Sequence, residues 1–254
     1  MKHQPAVAAC AGLVVLLLAG CGTTVQEAMR CEPPELTRFL PHHQLLVRQP
    51  PDFPFHYLWQ TQGVYRRHYG YIYVAPVNTN FLQKGQWWTP DSPEEARRMR
   101  DNLAFLGDYM RRSFVTELRQ AEARGGFRVV NGPGSRTVTL ELALTQAVPT
   151  EAELNFVGTA ANLLLPGVSL LTRIIATGTV SMEARIVDSR TRRLLFMAAD
   201  RENDPAALLA LTAYSYYGST EYNIDNWAKQ LAALSVSRRV GEVKHDAPLH
   251  WIAY

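Results

Sequence analysis

Residues 137–148 read TVTLELALTQAV, and residues 179–188 read TVSMEARIVD. In the first stretch Val138, Leu140, Leu142 and Leu144 fall on one side, with Thr139, Glu141, Ala143 and Thr145 on the other. Successive side chains of a strand point to opposite faces, so this alternation predicts a half-buried strand. In the second stretch Val180, Met182, Ala184 and Ile186 alternate with Ser181, Glu183 and Arg185. Asp188-Ser-Arg-Thr191 then reads as a turn, and Leu194 to Ala199 returns as the second arm of a hairpin. Glu183 and Arg185 share a face of one strand, which suggests an ion pair or two solvated charges.

Outward from this pair, Gly70-Tyr-Ile-Tyr-Val-Ala-Pro-Val77 is a β-branched and aromatic run ended by proline, hence another strand. A long helix follows. Ser92 is the expected N-cap, Pro93 suits the first helical position, and Glu95 completes a capping box with Ser92. Ala96, Met99, Leu103, Leu106, Met110, Phe114, Leu118 and Ala121 make one apolar stripe, and Gly125-Gly126 stops it. Phe127 to Val130 is a short strand leading into the turn Asn131-Gly-Pro-Gly134. Beyond the hairpin, Asp204-Pro205 caps a short apolar helix, and Asn223 or Asp225 starts another carrying Trp227, Leu231 and Leu234. The order is β-α-β-β-insert-β-β-α-α. It predicts an α+β two-layer sandwich, an antiparallel or mixed sheet with a long helix packed on one face. Residues 55–254 are expected to form this single domain, with an apolar insert at 153–176.

The N-terminus reads MKHQPAVAACAGLVVLLLAGC over residues 1–21, a basic start followed by a short apolar run. It fits a secretory signal over residues 1–20 better than a membrane span, which needs about 20 apolar residues of its own. Leu18-Ala19-Gly20-Cys21 resembles the bacterial lipobox, which implies cleavage before Cys21 and lipidation of its thiol. Acyl chains such as palmitate contribute roughly 0.8 kcal/mol per buried methylene, so several would anchor the chain stably. Gly22 rather than Asp follows the cysteine, which by the sorting rule of enteric bacteria implies the outer membrane, facing the periplasm. Residues 21–54 hold six prolines at positions 33, 34, 41, 50, 51 and 54 and read as a tether that becomes a docked arm, with Phe39, Leu40, Leu45 and Leu46 lying on the domain. Fully extended, Gly22 to Thr37 could reach about 50 Å. With Cys10 lost with the signal, Cys31 is the one ordinary cysteine of the processed chain, expected to be an unpaired thiol in the tether.

The whole chain has 254 residues, 47% hydrophobic, with 26 Lys and Arg against 23 Asp and Glu. A net charge of +3 argues against nucleic acid as a partner, and the apolar share excludes a disordered chain.

Several segments together resemble domain-of-unknown-function family 3313, a family of bacterial lipoproteins. They are the lipobox, Tyr69-Gly-Tyr-Ile-Tyr-Val-Ala-Pro-Val77, Thr139-Leu-Glu-Leu-Ala-Leu-Thr145, Ser181-Met-Glu-Ala-Arg-Ile-Val-Asp-Ser189 with its returning strand to Asp200, and Trp227-Ala228 with Leu231. The resemblance covers most of residues 35–235 and implies a fold and an address, with no activity attached. Where that family commonly has an acidic residue before the Pro-Val of the first strand, this chain has Ala75. The element order is also similar to small α+β domains of periplasmic secretion and assembly lipoproteins, an analogy of fold alone.

No H-E-x-x-H, zinc-spaced Cys/His cluster, G-x-S-x-G, Walker or dinucleotide glycine pattern occurs. His42-His43 reads as a solvated pair. No cofactor, metal or catalytic residue is expected. Two unusual features remain. Leu154 to Thr172 runs nineteen residues without a charge, interrupted by Pro166-Gly167. It reads as short helices over the sheet or as an apolar flap. Aromatic side chains gather at residues 53–73 and again at 214–222, for which packing in the core and arm is the default reading. Leu163, Leu164 and Leu165, with Trp87 and Trp88, form the candidate contact surface. The expected function is therefore that of an outer-membrane-anchored lipoprotein, not an enzyme. It would act by contacts with the membrane, an envelope protein or itself, as an assembly or accessory component. The alternative is a carrier of a lipid or hydrophobic small molecule, with residues 154–175 as its lid.

Overall fold

The computed structural model describes residues 30–61, 68–85, 88–148, 179–203, 218–237 and 242–245. Their elements are a single 3₁₀ turn (His43–Leu45), β1 (Val47–Arg48), β2 (Tyr57–Gln60), β3 (Tyr71–Val74), α1 (Pro93–Glu122), β4 (Arg128–Val130), β5 (Thr137–Val148), β6 (Thr179–Asp188), β7 (Leu194–Asn203) and α2 (Gly218–Val236).

The predicted hairpin is present as β6 and β7, and β5 pairs antiparallel with β6 over ten positions. The sheet has seven strands in the order β1-β2-β7-β6-β5-β3-β4. It is mixed, because β3 runs parallel to both β5 and β4. Parallel neighbours cannot be joined by a tight turn, and α1 supplies the crossover from β3 to β4. The fold is thus α+β, with the long helix on one face of the sheet as expected.

Local chemistry sets the limits of α1. The Ser92 hydroxyl accepts from the Glu95 N–H at 3.1 Å, while the Glu95 carboxylate accepts from the Asp91 N–H at 2.8 Å. At the other end the Gly126 N–H donates to the Ala121 carbonyl and the Gly125 N–H to the Glu122 carbonyl, with Gly125 at φ 84°. That is the Schellman pattern, which needs a left-handed residue after the last turn. Leu106, Met110, Phe114, Leu118 and Ala121 of α1 are buried with Ile224, Trp227, Ala228 and Leu231 of α2. Both helices cover the sheet face formed by Val138, Leu140, Leu142, Leu144, Met182 and Ala198.

Four expectations change. β5 is buried on both faces: Thr139, Ala143 and Thr145 are as inaccessible as the leucines. The cause is the arm, whose Phe39 and Leu40 pack with Ala143, Met197 and Ala199 on the side away from the helices. The tether is shorter than expected, because the chain is bound to the fold from Arg30 onward rather than from Thr37. Leu45, by contrast, is exposed. Finally, α2 begins at Gly218, ahead of Asn223 and Asp225. Asn223 and Asp225 are spent on tertiary contacts, the first to the Asn203 carbonyl and the second to Tyr109 and Ser113. The expected helix at Asp204-Pro205 lies outside the described residues.

Candidate functional site

Among the described residues, a cluster of titratable groups converges where the arm meets the sheet. Arg30 opens the contact. Its guanidinium donates to the carbonyls of Pro51 and Phe53 at 2.7 and 2.6 Å and to the Asp200 carboxylate at 3.2 Å. The Cys31 thiol donates to the Arg201 carbonyl at 2.8 Å. Farther along, Thr37 gives both its N–H and its hydroxyl to the Glu183 carboxylate, at 2.5 and 2.8 Å. Arg185 donates to the Phe39 carbonyl at 2.6 Å, and its guanidinium stacks 4.5 Å from the centre of the Phe39 ring.

Asp200 is the centre of this clasp. It sits on the helix-facing side of β7 with no exposed surface. One carboxylate oxygen takes the His56 backbone N–H at 2.9 Å and the His56 Nδ1 at 2.5 Å, besides Arg30. The other accepts from the Trp227 indole N–H at 2.7 Å. His56 Nε2 in turn faces the Cys31 carbonyl at 2.9 Å, so each ring nitrogen meets an oxygen acceptor. Burial alone would raise the Asp200 carboxyl. The His56 hydrogen bond and the charges of His56, Arg30 and His245 outweigh it and hold the group below the usual carboxylate range.

Neighbouring groups follow the same logic with different outcomes. Burial pushes the Cys31 thiol far up, reinforced by Glu202 and Asp200, so it is an inert donor rather than a nucleophile. Burial and the Asp200 charge raise Glu202, which accepts from His245 Nε2 at 2.6 Å. Burial would lower His245, but the bond and charge of Glu202 raise it instead. Burial also raises Glu183 against the two donors from Thr37. Lys244 pairs with Asp52 and pins the last described residues beside the arm.

The ion pair or solvated charges expected of Glu183 and Arg185 are absent. Glu183 is fully buried under Thr37, and Arg185 is bonded instead to Glu141 at 2.6 Å. The reason is the arm, which replaces water as the partner of both groups. Chemically, then, this cluster is closed. Both oxygens of Asp200 and both of Glu183 are taken by donors of the same chain, and what they do is lock residues 30–40 and 53–56 onto the sheet. His42 is exposed on a left-handed backbone, and no group of three or more metal-ligating side chains occurs among the described residues.

Of the residues singled out from sequence, Cys21, Trp87, Leu163, Leu164 and Leu165 lie outside the described residues. Trp88 is half-buried against the main core, with the Lys84 ammonium 5.4 Å from its ring centre. The aromatic run at 53–59 goes where the default reading put it, with Phe53 and Phe55 in the core. Sequence reasoning passed over Asp200, His56 and Arg30. One signal was present: Asp200 follows Ala198 at strand spacing, which puts a carboxylate on the core face of β7 and calls for buried donors.

No helix among the described residues is long and apolar enough to cross a membrane. No curated protein matches the chain. Among solved structures it is similar to the PelC dodecamer from Paraburkholderia phytofirmans, with 13% identity and a TM-score of 0.37 over 71% of this chain and 98% of that one. It is also similar to the hypothetical protein CT253 from Chlamydia trachomatis, with 10% identity and a TM-score of 0.29 over 69% of this chain and 93% of that one. A family model matches residues 36–231, well over half of the chain and the whole stretch from the docked arm to α2. The chain therefore belongs to the family described as Protein of unknown function (DUF3313).

Proposed function

We propose that the chain is an outer-membrane lipoprotein, acylated on Cys21 and facing the periplasm, that works through contacts rather than catalysis. Its role would be that of an envelope assembly or accessory component, engaging an envelope protein or a second copy of itself. The observation that carries this reading is the ion pair between Arg30 and Asp200. It ties the chain down nine residues after Cys21, so the anchor and the folded body stand within about 30 Å of each other in any conformation. A protein so closely tied to its lipid works at the membrane surface. The clasp supports a non-catalytic reading as well, because its acids and bases are consumed in holding the arm.

The test is labelling with radioactive palmitate in a Gram-negative host, followed by density separation of the membranes. The reading expects label in the wild-type chain, sedimentation with the outer membrane, and loss of both in Cys21→Ala. Label retained in Cys21→Ala, or wild-type chain found free in the periplasm, overturns it.

A further inference from the structure

One end of the sheet gathers arginines. The β6–β7 turn carries Arg190, Arg192 and Arg193, Arg136 precedes β5, and Arg128 opens β4. Backbone bonds hold these segments together. The Arg128 N–H donates to the Gly70 carbonyl at 3.0 Å, and the Gly70 and Tyr71 N–H groups donate to the Arg136 carbonyl at 3.0 and 3.2 Å. The Ser189 N–H donates to the Thr137 carbonyl at 3.0 Å. The Arg136 guanidinium lies against Gly70, 3.8 Å from where a Cβ would stand. β6, β5, β3 and β4 are successive neighbours in the sheet. Three strand spacings therefore put the β6–β7 turn and Arg128 about 14 Å apart, with Arg136 between them.

The acids nearby do not neutralise this row. Glu141 takes Arg192 at 2.5 Å and Arg185 at 2.6 Å. Asp188 is occupied by the N–H groups of Arg190 and Thr191 and by the Tyr69 hydroxyl, and Glu122 accepts the Val129 N–H at 2.8 Å. Arg128, Arg136, Arg190 and Arg193 are exposed, and among the described residues their guanidiniums have no hydrogen bond or ion pair. Two arginines of the row also occupy backbone that favours glycine, Arg136 at φ 53° and Arg192 at φ 62°. An L-residue adopts that conformation at a cost, and such positions gather where a side chain serves a function.

We propose that this arginine row is a headgroup-binding surface that docks on the phosphates of an anionic bilayer. The planar fork of a guanidinium matches a phosphate with two parallel hydrogen bonds, which the point charge of a lysine does not. A single phosphate fills one or two such forks, whereas a row about 14 Å long suits phosphates displayed side by side. A folded protein partner would call for aromatic or apolar anchors at the centre of the contact. The exposed large apolar side chains among the described residues lie elsewhere, Leu45 and Val47 at β1, Phe105 on α1 and Tyr222 on α2. The inference concerns the folded part of the chain and is independent of acylation at Cys21.

The experiment mixes the full-length chain carrying Cys21→Ala with vesicles of phosphatidylcholine, alone or with one third phosphatidylglycerol, and reads binding by flotation. The segment before Arg30 is common to every variant, so differences between variants report the folded part. The proposal expects tighter binding to the phosphatidylglycerol vesicles. Arg190→Ser with Arg193→Ser should weaken it about fivefold for each arginine removed. Arg97→Ser with Arg98→Ser removes the same charge from exposed positions about 36 Å along α1 from Glu122 and should leave binding unchanged. Arg136→Gly takes away a guanidinium without partners among the described residues and fits the left-handed backbone, so binding should fall while the thermal midpoint holds or rises. No preference for phosphatidylglycerol, or equal loss in the two arginine pairs, overturns the proposal. Displacement by inorganic phosphate at constant ionic strength would assign the row to a free anion, and displacement by oligoglutamate to an acidic protein, and either result overturns the bilayer as its partner.

Discussion

The indole N–H of Trp227 donates to Asp200 at 2.7 Å, while His56 and Arg30 reach the other oxygen of the same carboxylate. One side chain of β7 therefore joins α2, the residue just before β2 and the start of the arm. A buried carboxylate is tolerable only when its lone pairs are filled, and here the four donors come from three segments. The clasp is what makes the arm a part of the fold.

Replacing Asp200 by Ala leaves Arg30 without its charge partner, with His56 and the Trp227 indole N–H also unpaired. Breaking a buried pair of this kind costs about 3–5 kcal/mol. Urea unfolding followed by Trp fluorescence measures it. A loss comparable to that of an exposed substitution such as Arg190→Ala would show that the clasp does not hold the fold.

Thr37→Val removes the hydroxyl that donates to Glu183 at 2.8 Å and leaves a fully buried carboxylate with one fewer partner. The expected cost is about 1–3 kcal/mol, concentrated in the arm. Trypsin cleavage after the exposed Arg38 should accelerate, while cleavage after Arg190 in the hairpin turn should not change.

The Asp188 carboxyl is lowered from 3.8 to about 2, chiefly by the Thr191 N–H and with help from Tyr69 and Arg190. A group depressed in the folded state contributes stability above its unfolded value and loses it as pH falls through the folded one. Acid denaturation should therefore steepen between 3.8 and about 2. In Asp188→Asn the stability against pH should be flatter across that window, as read by urea midpoints at successive pH values.

Gly126 lies so close to the end of α1 that a Cβ there would meet the Ala121 carbonyl oxygen at 2.8 Å. Gly125 has open space around it and only its left-handed backbone to defend. Gly125→Ala should cost about 1–2 kcal/mol for the left-handed backbone, and Gly126→Ala more, because a backbone carbonyl cannot step aside as a side chain does. Thermal unfolding of the two variants ranks them, and the reverse order would refute the argument.

Much of this molecule is legible one segment at a time. The alternation in 137–148 and 179–188 has the period of a strand, and Ser92, Pro93, Glu95, Gly125 and Gly126 bracket a helix whose stripe has the period of one turn. These signals are local, because a strand or a helix cap is decided by residues within a few positions of each other. The α+β layering follows from their order.

What the tertiary structure alone decided depends on partners far apart in sequence. Thr37 and Glu183 are 146 residues apart, and Arg30 and Asp200 are 170 apart. The parallel placement of β3 between β5 and β4 likewise comes from packing α1 across the sheet. The second face of β5 is the clearest case. Thr139, Glu141, Ala143 and Thr145 look solvated in sequence, because small and polar side chains are equally satisfied by water or by a neighbouring chain. Only the tertiary structure shows which they meet: Phe39 and Leu40 cover Ala143, the Ser189 hydroxyl meets Thr139, and Arg185 and Arg192 pair with the half-buried Glu141.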